Sequence, residues 1–187
     1  ALEEELVEYS PKTLQANYRE SILTHPLKRE IIATVITNDL VNRLGPSCLY
    51  DMTRKMGCRV DEAVKAYLIV RKAFDLQDLW RQIESLDGRI LPAHQMEVMG
   101  DILAIVRRIM PWLLRHYRID EGILPTSDVL KIGGESFLEN LHDCLDAQTR
   151  KTLEKSIAAY EHLKIGADLS QKIAVLQIAA SSPDIIL

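Results

Sequence analysis

Apolar side chains recur every third or fourth residue along almost the whole of this 187-residue chain, and strict alternation of apolar and polar residues is hard to find over any useful length. A repeat near 3.6 collects apolar residues on one face of an α-helix, whereas half-buried strands need a period of two. The chain is therefore read as all-α, a multi-helix bundle or array with short connections and no sheet. With 47% hydrophobic and 27% charged residues it has enough apolar surface for one sizeable core or two small ones. The 8 Gly and 7 Pro are too few for a collagen-like or low-complexity chain.

Punctuation by proline and glycine divides this pattern. A first helix is expected within residues 2–9, and Pro11 suits the first turn of a second carrying Leu14, Tyr18, Ile22 and Leu23. Pro26 starts a third, running to Leu44, whose apolar residues spread around most of the circumference, so burial on several sides is expected. Asn38 and Asn42 fall on the same line as Ile31 and Val35, which would put two amides in a core where each needs a partner. A hydrogen-bonded amide network fixing helix register is the reading of that pair, since no acid, base or nucleophile sits beside them.

Gly45 and Pro46 end that helix, and a short one through Leu49, Met52 and Met56 closes at Gly57. Val60 to Phe74 repeats at helical spacing, with Asp75 placed to cap a follower through Leu76, Leu79, Trp80 and Ile83, and Asp87 and Gly88 form a turn. From Pro92 to Tyr117 a long seam runs through Met96, Met99, Leu103, Val106, Met110 and Leu113, with a kink expected near the interior Pro111. Residues 119–125 read as a linker, with Thr126, Ser127 and Asp128 as N-caps and an interruption at Gly133 and Gly134. Two parts are expected, a helical bundle over 1–118 and a further helical subdomain over 119–187. The latter holds a helix through Leu153, Ile157, Tyr160 and Leu163 and a last one around Ile173 to Ala180.

Charge and cysteines limit the setting. The formal net charge of −4 argues against a nucleic-acid partner bound by phosphate neutralisation. Cys48, Cys58 and Cys144 form no CxxC pair and leave an odd thiol, which suits a reduced, cytoplasmic chain. The longest uncharged stretch, Ile173 to Pro183, falls short of the roughly 20 apolar residues that span a membrane. The start Ala1, Leu2, Glu3, Glu4, Glu5 lacks the basic opening and apolar middle of a secretory signal.

A search for chemistry is mostly negative. No two of the eight glycines are separated by a single residue, so GxGxxG is absent, and the Walker loop is absent too. His25, His94, His116, His142 and His162 include no HExxH, and His142 and Cys144, two apart on a helix, face different directions. Catalytic, cofactor-binding and metal-binding residues are accordingly expected to be none in this chain. Cys48 and Cys58 read as small core residues and Trp80 and Trp112 as core. Arg107, Arg108, Arg115, His116 and Arg118 form a basic cluster that is either a solvated helix end favoured by the helix dipole or a docking face for an acidic partner.

Three segments are specific enough to suggest a family: KREIIATVITNDLVNRLGPS (Lys28 to Ser47), EAVKAYLIVRKAFDLQDLWRQIESLD (Glu62 to Asp87) and PWLLRHY (Pro111 to Tyr117). Together they resemble the C-terminal helical region of the large bacterial NAD-specific glutamate dehydrogenases, most closely from Tyr9 to Tyr117. The resemblance implies a parent enzyme that oxidatively deaminates L-glutamate to 2-oxoglutarate and ammonia while reducing NAD. It places the glutamate and NAD sites in a catalytic domain upstream, so no catalytic residue carries over and this part alone should be inactive. It also implies that these helices brace the catalytic domain of the same polypeptide or contacts within a homo-oligomer, while the acidic balance and the lack of a spanning segment imply no nucleic-acid or membrane partner. A free-standing helical protein-interaction module is the alternative. A helix-turn-helix binder of nucleic acid is a weaker third reading, disfavoured by the acidic balance.

Overall fold

The structure is a computed structural model that describes residues 2–116, 123–139 and 145–181. Among these, eleven helices and no strand are found: α1 (Glu3–Tyr9), α2 (Lys12–Asn17), α3 (Arg19–Leu23), α4 (Lys28–Leu44), α5 (Cys48–Met56), α6 (Val60–Ala73), α7 (Leu76–Glu84), α8 (Pro92–His116), α9 (Ile123–Glu139), α10 (Ala147–His162) and α11 (Ala167–Ser181). The all-helical expectation from the apolar spacing therefore holds. The chain divides into two compact units, residues 1–51 and 52–187, and the division falls inside α5. The expected division between residues 118 and 119 lies outside the described residues.

In the first unit α1 lies against α4. Its Leu6 and Val7 are buried, and so are Ile36, Leu40 and Leu44 of α4, one narrow line at i, i+4 and i+8. This corrects the expectation for α4. Asn38 and Asn42 are exposed, Ile31 and Val35 are half-buried, and Val41 is exposed as well. A single helix of seven residues covers only one stripe of α4, so the remaining apolar residues of that helix stay near the surface. Gly45 ends α4 at φ +86°, a conformation that costs other residues strain, and its N–H closes on the Val41 carbonyl at 3.0 Å.

Pro11 stands at the N-cap of α2 rather than inside its first turn, and the single helix expected through Leu23 is interrupted at Tyr18 (φ −130°, ψ 24°). Helical hydrogen bonding nonetheless carries across the break, from Tyr18 N–H to the Leu14 carbonyl at 2.8 Å and from Ile22 N–H to the Tyr18 carbonyl at 2.9 Å.

The second unit is organised around α6, which packs against α7, α8 and α9. Ala63, Ala66, Tyr67, Leu68, Ile69, Val70, Arg71 and Ala73 are all buried, so from Ala66 to Arg71 every side of the helix is covered. Burial on several sides, expected of α4, belongs to α6 instead. The Arg59 N–H donates to Glu62 at 2.7 Å, satisfying one group at the start of α6. Arg71 keeps its guanidinium within 5.7 Å of the Tyr67 ring one turn earlier, a way for a buried cation to meet an aromatic face.

Asp75 precedes α7 as expected, but in the left-handed region (φ 47°) and with no side-chain cap. In α8 the buried stripe is Val98, Ile102, Ile105, Val106, Ile109, Met110 and Leu113, which keeps Val106, Met110 and Leu113 of the expected seam but leaves out its first half, Met96, Met99 and Leu103. Met96, at the head of that expected seam, is 75% exposed. Pro111 lies inside α8, which continues beyond it to His116.

Of the linker expected over 119–125, residues 119–122 lie outside the described residues and 123–125 are helical, and the interruption expected at Gly133 and Gly134 is absent. Helix α9 starts at Ile123 with Pro125 in its first turn, where a missing N–H matters little, and Thr126 and Ser127 are buried within the helix rather than capping it. Gly133 and Gly134 are continuous with the helix as well. A Cβ built on Gly134 would lie 3.9 Å from Phe74 Cε1, so the glycine sits where α9 meets the end of α6. Helix α10 is capped by Asp146, whose carboxylate accepts from the Thr149 N–H at 2.6 Å. Helix α11 packs on both α10 and α8 and buries Ile173, Ala174, Val175, Ile178, Ala179 and Ala180.

Candidate functional site

Polar chemistry inside the second unit centres on Tyr160. Its side chain is buried, and its hydroxyl donates to Asp101 Oδ2 at 2.6 Å while accepting from Gln177 Nε2 at 2.5 Å. The three residues come from α10, α8 and α11, so one hydroxyl joins three helices. Burial, and then the Asp101 carboxylate beside it, push the phenol well above its ordinary value. Such a hydroxyl keeps its proton at neutral pH and has both its donor and an acceptor position occupied. That is the condition of a structural hydrogen bond, not of a base or nucleophile. The sequence reading took Tyr160 only as an apolar position. The available signal was a tyrosine on the buried line of a helix, which requires a polar partner for its hydroxyl.

The other candidates are dispersed. Cys48 is buried and Cys58 is half-buried, its thiol 4.0 Å from the Met52 carbonyl. Burial is the main cause that raises the Cys58 pKa, which leaves the thiol protonated and a poor nucleophile. His25 accepts from the Leu27 N–H through Nδ1 at 3.1 Å, and His116 stacks on Trp112 with ring centroids 5.5 Å apart. His94 is half-buried and His162 exposed, while His142, Cys144 and Arg118 lie outside the described residues. Among the described residues no three of His, Cys, Asp and Glu come together as a metal site. Trp80 is a core residue of α7, as its position on the apolar line implies.

Arg107, Arg108, Arg115 and His116 are exposed on the C-terminal half of α8. Arg115 reaches Met56 Sδ at 3.8 Å, which brings the end of α8 beside the end of α5. A recess of about 340 Å³ opens where the α10–α11 turn meets the end of α7, lined by Ser85, Gln82, Ile165 and Asp168 among others. Asp168 is the one charged group in its lining. No acid–base pair or activated nucleophile is assembled there.

The decisive observation is one of relationship. The family described as glutamate dehydrogenase, C-terminal, matches residues 1–187, the whole chain. The chain belongs to this glutamate dehydrogenase C-terminal family. Three relatives are each named NAD-specific glutamate dehydrogenase. The one from Halomonas elongata is 37% identical over 106 residues, covering 57% of this chain and 7% of the relative. That from Pseudomonas aeruginosa is 29% identical over 166 residues, covering 88% of this chain and 10% of the relative. The Mycobacterium tuberculosis protein is 23% identical over 183 residues, covering 97% of this chain and 11% of the relative. A glutamate dehydrogenase C-terminal chain of this size thus spans about a tenth of the length of the curated relatives it matches.

Proposed function

We propose that this chain is a non-catalytic helical part of a large NAD-dependent glutamate dehydrogenase, which oxidatively deaminates L-glutamate to 2-oxoglutarate and ammonia as NAD is reduced. The observation that carries the reading is the family match over residues 1–187, together with relatives about ten times longer that are named for that specificity. NAD serves the parent enzyme and has no site in these helices. Their role is to brace the catalytic domain of the same polypeptide or contacts in its homo-oligomer, in the cytoplasm. No helix among the described residues is long and apolar enough to cross a membrane. A role in packing suits a chain in which a protonated tyrosine joins three helices.

Two measurements test this. The purified 187-residue chain is expected to produce no NADH from glutamate and NAD, and production at an enzymatic rate would overturn the non-catalytic assignment. An antibody against the chain is expected to detect a polypeptide many times heavier than 21.2 kDa in a denaturing gel of the source cell. A band at 21.2 kDa would remove the dehydrogenase reading and leave a free-standing helical interaction module.

A further inference from the structure

Helices α2 and α3 contain six and five residues, and neither buries a single one. Helices this short do not persist in water by propensity alone and need a packed face. A face is present. Leu14 and Tyr18 are exposed, Ile22 is half-buried, and backbone hydrogen bonds from Tyr18 to Leu14 and from Ile22 to Tyr18 keep the three at the four-residue spacing of one helix face. The line is flanked by Lys12, Arg19 and Glu20, all exposed, an apolar strip with a polar rim of the kind found at contact surfaces. Within the first unit α3 lies against α1, and Arg19 of α3 pairs with Glu4 of α1 at 2.5 Å, with both side chains 50–61% exposed. Ion pairs this open to water contribute little.

Resting on the reading above, we infer that the Leu14–Tyr18–Ile22 strip docks onto an apolar surface of the remaining dehydrogenase polypeptide, outside this segment. The length of chain involved supports this occupant over others. The relatives have roughly nine-tenths of their length outside the matched region, and a surface on the same polypeptide meets the strip at a high effective concentration without an association step. A strip of two short helices also suits intramolecular docking better than a free dimer. It offers three apolar anchors, far fewer than the 20–30 residues a side typical of a stable interface between separate chains.

Hydrogen exchange followed by mass spectrometry tests the inference on the 187-residue chain and on the full-length dehydrogenase that carries it. Amides of residues 12–23 should exchange close to the unstructured rate in the chain alone, and at least tenfold more slowly in the full-length protein. Full-length protein with Leu14→Glu and Tyr18→Glu together should lose that protection while α6 keeps its own, which separates undocking from general unfolding. Protection already present in the 187-residue chain, equal exchange in both forms, or protection that rises with protein concentration would each overturn it. The last two would point to no cover and to a second copy. Deleting residues 1–187 from the full-length enzyme separates the two ideas. If assembly or activity fails on deletion while residues 12–23 are unprotected, the bracing role stands and only the strip is wrong. If deletion changes neither, the bracing role itself is wrong.

Discussion

The hydroxyl of Tyr160 donates to Asp101 at 2.6 Å and so fixes α10 to α8, with Gln177 of α11 closing the group from the other side. Tyr160→Phe keeps the ring and removes the hydroxyl, leaving the Asp101 and Gln177 side chains without it. Both are only half-buried, so water can replace part of the loss. The expected cost is about 1–2 kcal/mol, seen as a lower urea midpoint at unchanged slope.

The same phenol gives an alkaline signature. Its folded pKa is raised above the unfolded value, so its contribution is fully present below about pH 10, where both states hold the proton. Above that the unfolded chain releases its proton while the folded one retains it, and stability falls as pH rises. Urea midpoints measured between pH 9 and 11 should decline more steeply in the parent sequence than in Tyr160→Phe.

Asp146 titrates with the opposite sign. The Thr149 N–H holds its carboxyl below the usual value, so the stabilisation is present above about pH 4 and is lost as pH falls through the folded pKa. Helical signal from α10 should therefore decline on acidification before that of α6, read by the chemical shifts of Ala147 and Gln148 against those of Ile69. Asp146→Asn should remove the pH dependence and keep most of the cap, because an amide oxygen can also accept.

Two glycines should respond in opposite directions. Gly100 is exposed inside α8, and a Cβ there would meet nothing within 4 Å. Gly100→Ala is expected to stabilise the chain by about 0.5–1 kcal/mol. Gly45→Ala must place a side chain at φ +86°, ψ 158°, and should destabilise by about 1–3 kcal/mol. Thermal unfolding of the two variants side by side checks both.

Core and surface asparagine predictions diverge as well. Ile69 is fully buried on α6, so Ile69→Ala should cost about 2–5 kcal/mol. Asn38→Ala and Asn42→Ala, at exposed positions, should each fall within about 0.5 kcal/mol of the parent sequence. A loss several times larger at either asparagine would restore the buried amide network.

Which parts of this were legible in the sequence follows from how local the physics is. Period, the glycine stops at Gly45 and Gly57 and the turn at Gly88 depend on a few neighbouring residues; α4 and α5 end just before Gly45 and Gly57, and all three glycines take positive φ. The choice of central helix is not local. Both α4 and α6 are apolar around most of their circumference, and only tertiary packing puts α7, α8 and α9 around α6 while α4 receives α1. The Gly133–Gly134 and Thr126–Ser127 expectations failed for the same reason, since packing on α6 outweighs a helix propensity deficit of about 1 kcal/mol per glycine. The Tyr160 group was missed because its partners lie 59 and 17 residues away in sequence.

Ala63, Ala66 and Ala73 are buried on a helix enclosed by neighbours, which therefore approach its backbone rather than the tips of long side chains. Growth at these positions has nowhere to go, because making room on one side of α6 presses on another. In a library of all single substitutions, these three small residues should be among the least replaceable in the chain, ahead of many larger core residues that can exchange for others of similar volume. Divergence within the family would then be expected to concentrate away from α6, so that its alanines mark the part of the segment slowest to change.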